Sequence, residues 1–211
     1  MQNASSLIIK VCGMRDAANI RDVEALQPNW MGFICWEGSP RNVESCPAYL
    51  PHCVRVGVFV EPTLEFVKAK ISQLGLNRLQ LHGKETPERC AEIGEATGLP
   101  ITKAVSVASE ADVARAYIYN KVKSIDSLLF DTQSAAMGGS GRSFDWATLH
   151  NYNGKPFLLS GGIGPDDAAR VKAFRHTCLM GIDVNSRFET SPAIKDITAL
   201  RNFIYEMRKY E

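Results

Sequence analysis

The chain has 211 residues, 45% hydrophobic and 22% charged, with a net charge of +1. That is the make-up of a globular protein with one sizeable core. It excludes a basic nucleic-acid footprint and an acidic tail, and no apolar run approaches the roughly 18 residues of a membrane span.

In chain order, Met1 to Ser6 is short and polar, unlike a secretory signal. Leu7–Cys12 reads as a first strand, followed by a helix over Asp16–Leu26 with Ala17, Ile20, Val23 and Leu26 at spacings of three. Trp30–Cys35 is a second strand, followed by the turn Gly38-Ser39-Pro40-Arg41 and a short helix. Val54–Val60 is a third, with a helix from near Pro62 that carries Leu64, Val67, Ile71 and Leu74 on one face. Leu79–Leu81 is a fourth, and its helix opens on Thr86-Pro87, a cap residue and a first-turn proline. Ile101–Val107 is a fifth, with Ser109 capping the next helix. Ser127–Asp131 is a sixth, followed by a long loop over Thr132–Ser143 and a short helix over Phe144–Leu149. Phe157–Ser160 is a seventh, and Gly164-Pro165 opens its helix. Leu179–Val184 is an eighth, and the final helix runs from about Pro192.

Strands that are apolar throughout and alternate with helices indicate a parallel sheet covered by helices. Eight such units without a linker predict an α/β fold, a single (β/α)8 TIM barrel spanning residues 1–211. The alternative is an open doubly wound sheet, but no G-x-G-x-x-G follows the first strand. Six cysteines without a C-x-x-C pair read as reduced thiols of a cytoplasmic protein, neither a disulfide framework nor a zinc site.

A barrel puts its chemistry at the C-terminal strand ends. Those ends hold Cys12 and Gly13, then Arg41 in the second loop, then Gln80, His82 and Gly83. They continue with Asp131, the glycines Gly138, Gly139 and Gly141, then Gly161 and Gly162, and finally Asp183, Asn185 and Ser186. Ser160-Gly161-Gly162-Ile163-Gly164 and Asn185-Ser186 stand where barrels bind phosphate through backbone N–H groups. Asp131 faces the mouth on the same side as Leu129, as a loop anchor or as an acid. Cys12 reads as a small core residue or as a base; Lys10, two residues earlier on the same face, would favour its thiolate. Arg41 is either an exposed loop arginine or a clamp for a planar carboxylate. His82 is equally a hydrogen-bonding brace of the mouth.

Taken together, these segments resemble the phosphoribosylanthranilate isomerases of tryptophan biosynthesis, nearly end to end. Lys10-Val11-Cys12-Gly13 is similar to the family's opening K-[IV]-C-G, and Gly32-Phe33 through Ser39-Pro40-Arg41 to its G-F…S-P-R. Val56–Val60 and Gln80-Leu81-His82-Gly83 resemble its third and fourth strands. Asp131 with Gly138-Gly139-Ser140-Gly141 through Phe144-Asp145-Trp146 resembles the sixth-strand aspartate and G-G-T-G-x-x-F-D-W. Ser160-Gly161-Gly162 is similar to its glycine turn, and Gly181–Ser186 with Lys195-Asp196 to G-V-D-x-S-S…K-D. Asn185 and Arg187 stand in place of the family's usual Ser and Gly, and Ala193 in place of a Gly.

The resemblance implies an Amadori rearrangement of N-(5-phosphoribosyl)anthranilate by general acid–base catalysis. Asp131 would be the acid and Cys12 the base. Arg41 would hold the anthranilate carboxylate, and Gly161, Gly162, Asn185 and Ser186 the phosphate. His82 and Asp183 would join the substrate site, with Gly139 and Gly141 in a closing loop. A small phosphoribosyl substrate is then the partner, with no metal, cofactor, nucleic acid or membrane, in a monomer or homodimer. Other readings are a histidine-pathway sugar-phosphate isomerase, which would carry an acid where Cys12 stands, and a non-catalytic sugar-phosphate-binding barrel. Indole-glycerol-phosphate synthase would carry more residues ahead of the first strand.

Overall fold

The computed structural model describes residues 7–132 and 145–209. Eight parallel strands close into a barrel in sequence order: β1 (Ile8–Cys12), β2 (Trp30–Ile34), β3 (Val54–Phe59), β4 (Arg78–Leu81), β5 (Ile101–Val107), β6 (Ile125–Thr132), β7 (Phe157–Leu159) and β8 (Leu179–Val184). Closure comes from β1 pairing with β8, Lys10 against Asp183. Around the sheet lie α1 (Ala17–Glu24), α2 (Leu64–Leu74), α3 (Pro87–Thr97), α4 (Glu110–Ala116), α5 (Ala168–Ala173) and α6 (Ile197–Arg208).

The helix starts are set by local chemistry. Asp16, Thr63, Thr86 and Asp196 each accept a backbone N–H of the first turn, which satisfies donors the helix cannot use itself. At α4, Ser109 N–H donates to Asp112 Oδ2 (2.8 Å).

Two expected helices and one boundary differ. The second strand is followed by turns and a single bridge from Ile34 to Asn42, not by a helix. After β6 the described chain forms only a 3-10 turn over Trp146–Leu149. The last helix starts at Ile197, because Glu189–Ser191 (β9) and Ile194–Lys195 (β10) pair as an antiparallel hairpin first. Ala193 turns that hairpin with φ +68°, a left-handed backbone conformation.

Alternation of side chains divides the core in two. Outward residues such as Phe33, Leu79, Leu128 and Phe157 pack under the helices. Inward residues Trp30, Val56, Ala104, Leu129 and Leu158 fill the lower barrel. This apolar floor forces the polar inward residues of the next layer to find partners among themselves. Among the described residues no helix is long and apolar enough to cross a membrane.

Candidate active site

The polar layer begins on β1. Lys10 is fully buried, and its Nζ donates to Asp183 Oδ1 and to Gln80 Oε1, both at 2.8 Å. Burial alone would discharge this lysine, but the Asp183 and Cys12 partners prevail and hold its pKa above the ordinary value. The other Asp183 oxygen accepts from Ser160 Oγ (3.4 Å), so Asp183 lies beneath the mouth as the counter-ion of Lys10.

Cys12 sits one step above Lys10 and is 4% exposed. Opposite it, β2 carries Gly32, where a Cβ would come within 2.6 Å of the Cys12 sulfur. Burial pushes the thiol up, Lys10 and Lys195 pull it down, Asp183 pushes it up again, and the net shift is upward. The expected help from Lys10 is therefore present, but desolvation outweighs it and the thiol is the resting form.

A second corner forms between β4 and β6. Gln80 Nε2 lies 2.8 Å from His82 Nδ1, and His82 Nε2 lies 3.3 Å from Asp131 Oδ2. Asp131 Oδ1 accepts from the Thr132 N–H (2.8 Å). Gly161, with φ +85°, passes so close that a Cβ would meet Thr132 N at 2.6 Å and Asp131 Oδ1 at 2.9 Å. The glycine turn is thus packed onto the carboxyl of β6. Gly162 is also left-handed, at φ +72°.

The third corner closes over β1 from the loops after β2 and β8. Arg41 Nε and Nη2 grip Glu189 at 2.6–2.9 Å, and Lys195 Nζ donates to Glu189 Oε1 (2.7 Å) and to Asn185 Oδ1 (2.8 Å). Burial works against the Glu189 carboxylate, but Arg41 and Lys195 prevail and hold it below the ordinary glutamate range. Burial brings Lys195 below the ordinary lysine value despite Glu189. The Arg187 guanidinium lies against Gly164, its Nε 2.8 Å from where a Cβ would stand. It adds a cation between the loops after β7 and β8.

Cys12, Arg41, His82, Asp131, Gly161, Gly162, Asn185 and Ser186 thus all lie at, or in the loops just after, the C-terminal strand ends of one barrel, with Asp183 below that rim. Gly139 and Gly141 lie outside the described residues. Glu189 escaped the sequence reading, because an isolated glutamate carries no signal until the hairpin folds back toward Arg41. Lys195 stood there only as part of a motif. Among the described residues no group of three or more His, Cys, Asp or Glu side chains is arranged to hold a metal ion.

The family model for N-(5′-phosphoribosyl)anthranilate (PRA) isomerase matches residues 9–206. A protein of that name from Phocaeicola vulgatus is 46% identical over 205 residues, covering 96% of this chain and 98% of the relative. The crystal structure of the phosphoribosyl anthranilate isomerase from Thermotoga maritima superposes with a TM-score of 0.84 at 29% identity, covering 96% of this chain and 99% of that one. A crystal structure of a phosphoribosyl anthranilate isomerase in complex with reduced 1-(o-carboxyphenylamino)-1-deoxyribulose 5-phosphate superposes with a TM-score of 0.81 at 27% identity, covering 96% of this chain and 99% of that one. Motifs, barrel and relatives agree over nearly the whole length, and the chain belongs to the N-(5′-phosphoribosyl)anthranilate isomerase family.

Proposed function

We propose that this chain isomerises N-(5′-phosphoribosyl)anthranilate to 1-(o-carboxyphenylamino)-1-deoxyribulose 5-phosphate, with Cys12 and Asp131 as the proton-handling pair. The observation that carries the reading is the pair itself. A buried thiol beside an ammonium and a half-exposed carboxyl stand on one barrel rim, three strands apart.

In this reading Asp131, protonated in the bound complex, gives its proton to the ribose ring oxygen. The C1–O bond breaks as the anilino nitrogen forms an iminium. Cys12 then takes the proton from C2, and those electrons neutralise the iminium to an enamine, which tautomerises to the ketone. Because the resting form is the thiol, Cys12 must first release its proton to solvent water. The cations Lys10, Lys195 and Arg41 outnumber the anions Asp183 and Glu189 around it. The iminium adds positive charge when the thiolate is needed.

Arg41 fits the anthranilate carboxylate with the guanidinium edge that Glu189 leaves open. The backbone of Gly161, Gly162, Asn185 and Ser186 suits the phosphate, with Arg187 beside it. The Asn185 side chain serves the fold instead, since it accepts from Lys195. Asp183 supports Lys10 beneath the substrate. Residues 1–211 work as one barrel domain, and we place the reaction in the cytoplasm, in keeping with six free cysteines.

The test is direct. Purified protein added to phosphoribosylanthranilate should abolish the fluorescence of that substrate with turnover well above background. Binding of the sugar phosphate without turnover would replace this reading by that of a non-catalytic barrel.

A further inference from the structure

Gln80 is 1% exposed and belongs to no catalytic step, yet it stands between the two halves of the site. Its carboxamide meets Lys10 Nζ on one side and His82 Nδ1 on the other, both at 2.8 Å. Lysine nitrogen has three donors and no acceptor once charged. Its position between Asp183 and Gln80 keeps that charge, so the atom of Gln80 that meets it is the carbonyl oxygen. The other end is then the NH2 group, which only donates. His82 Nδ1, facing that group, must be the accepting, unprotonated nitrogen. The imidazole proton is left on Nε2, the atom 3.3 Å from Asp131 Oδ2.

We propose that Gln80 is a positioning residue that locks His82 in the Nε2–H tautomer, with that N–H aimed at Asp131, so that His82 acts as a donor to the carboxyl and not as a proton acceptor.

The buried ion pair on β1 and β8 thereby sets the proton position on β4. Polarity passes from Asp183 through Lys10 and Gln80 to His82 and ends at Asp131. Among the described residues, the other charged groups near His82 do not compete for Nδ1. Lys103 on β5 donates its Nζ to the carbonyls of Leu81, Gly83 and Ala104 and pairs with Glu85. Glu85 accepts from the N–H groups of Glu61 and Gly83. Among the described residues, Gln80 alone bonds both Lys10 and His82, and so hands on the charge of Lys10 as a choice of tautomer. The inference deepens the proposed function, since the purpose of the lock rests on Asp131 being the acid.

The experiment is nitrogen-15 NMR of the histidine rings in the ligand-free full chain above the imidazole titration, with His82 assigned by its loss in His82→Asn. The expected wild-type spectrum has a protonated Nε2 and an unprotonated Nδ1 at His82. Gln80→Glu keeps the partner for Lys10 but offers His82 an acceptor, and should move the ring proton to Nδ1. In the same variant kcat should fall at least about tenfold with KM within about twofold, and its pH profile should change shape. A wild-type His82 protonated on Nδ1 would overturn the proposal. So would a folded Gln80→Glu protein with unchanged spectrum and kcat. If Gln80→Glu does not fold, the wild-type spectrum alone still decides. An Nε2–H spectrum in a protein without turnover would sink the isomerase reading and leave the tautomer assignment standing.

Discussion

Cys12 and Asp131 occupy one rim but live in different media. Cys12 is 4% exposed, walled by Gly32 and ringed by charged groups; the Asp131 side chain is 29% exposed and meets Thr132 N–H and His82. The thiol is governed by desolvation, which pushes it up more than its cationic neighbours pull it down. The lesson is that a neighbouring lysine does not by itself make a thiolate. Lys10 is close enough to pull the thiol down, but it is as buried as the thiol and shares its charge with Asp183 and Gln80.

The largest expected effects break the pair. Cys12→Ser and Asp131→Asn should each lower kcat by at least ~10²-fold, the scale of a general acid or base. A near-normal kcat for Cys12→Ser would remove it as the base and leave the two corners unequal in function. Next in size is the support under the thiol. Lys10→Met strands the Asp183 carboxylate without its cation and should cost about 3–5 kcal/mol in urea unfolding, as for a broken buried ion pair. A cost below about 1 kcal/mol would mean that Asp183 finds water, and that the site floor is not closed.

Arg41→Ala should raise KM about tenfold, the scale of a lost charged hydrogen bond, with kcat less affected. Unchanged KM would make Arg41 a structural arginine held by Glu189. That clamp also has a pH signature. The folded Glu189 carboxyl titrates below its unfolded counterpart, so its stabilisation is full above the unfolded value of ~4.3 and is lost as pH falls through the lower folded value. Thermal melts of the wild type should therefore lose more stability on acidification through that window than those of Glu189→Gln. Parallel curves would show that Arg41 and Lys195 gain nothing from that charge. The smallest effect tests the hairpin that carries Glu189. Ala193→Gly relieves the left-handed strain at φ +68° and should add about 1 kcal/mol at most, or a Tm rise of a few degrees. A fall in Tm would show that the alanine methyl, fully buried, packs for more than the strain costs.

Much of this was readable along the chain, for local reasons. Apolar runs placed eight strands, and Thr86 with Pro87 marks a helix start by a contact within three residues. Strand ends gave Cys12, His82 and Asp131 because a barrel directs its C-terminal edges to one mouth. The missing helix after β2 and the hairpin before α6 were not readable. There the chain follows partners on other elements: Asn42 pairs with Ile34, and Glu189 and Lys195 turn inward to Arg41 and Asn185.

The sequence by itself determined the barrel, the rim and the family, since those depend on periodicity and on residue types at strand ends. Only the tertiary structure decided how the protons are arranged. It put Lys10 between Asp183 and Gln80, set Gln80 against His82, and buried Cys12 until desolvation outweighed the lysine beside it. The two contacts of Lys10 join residues 70 and 173 positions apart, and burial and hydrogen-bond direction exist only once the barrel has closed.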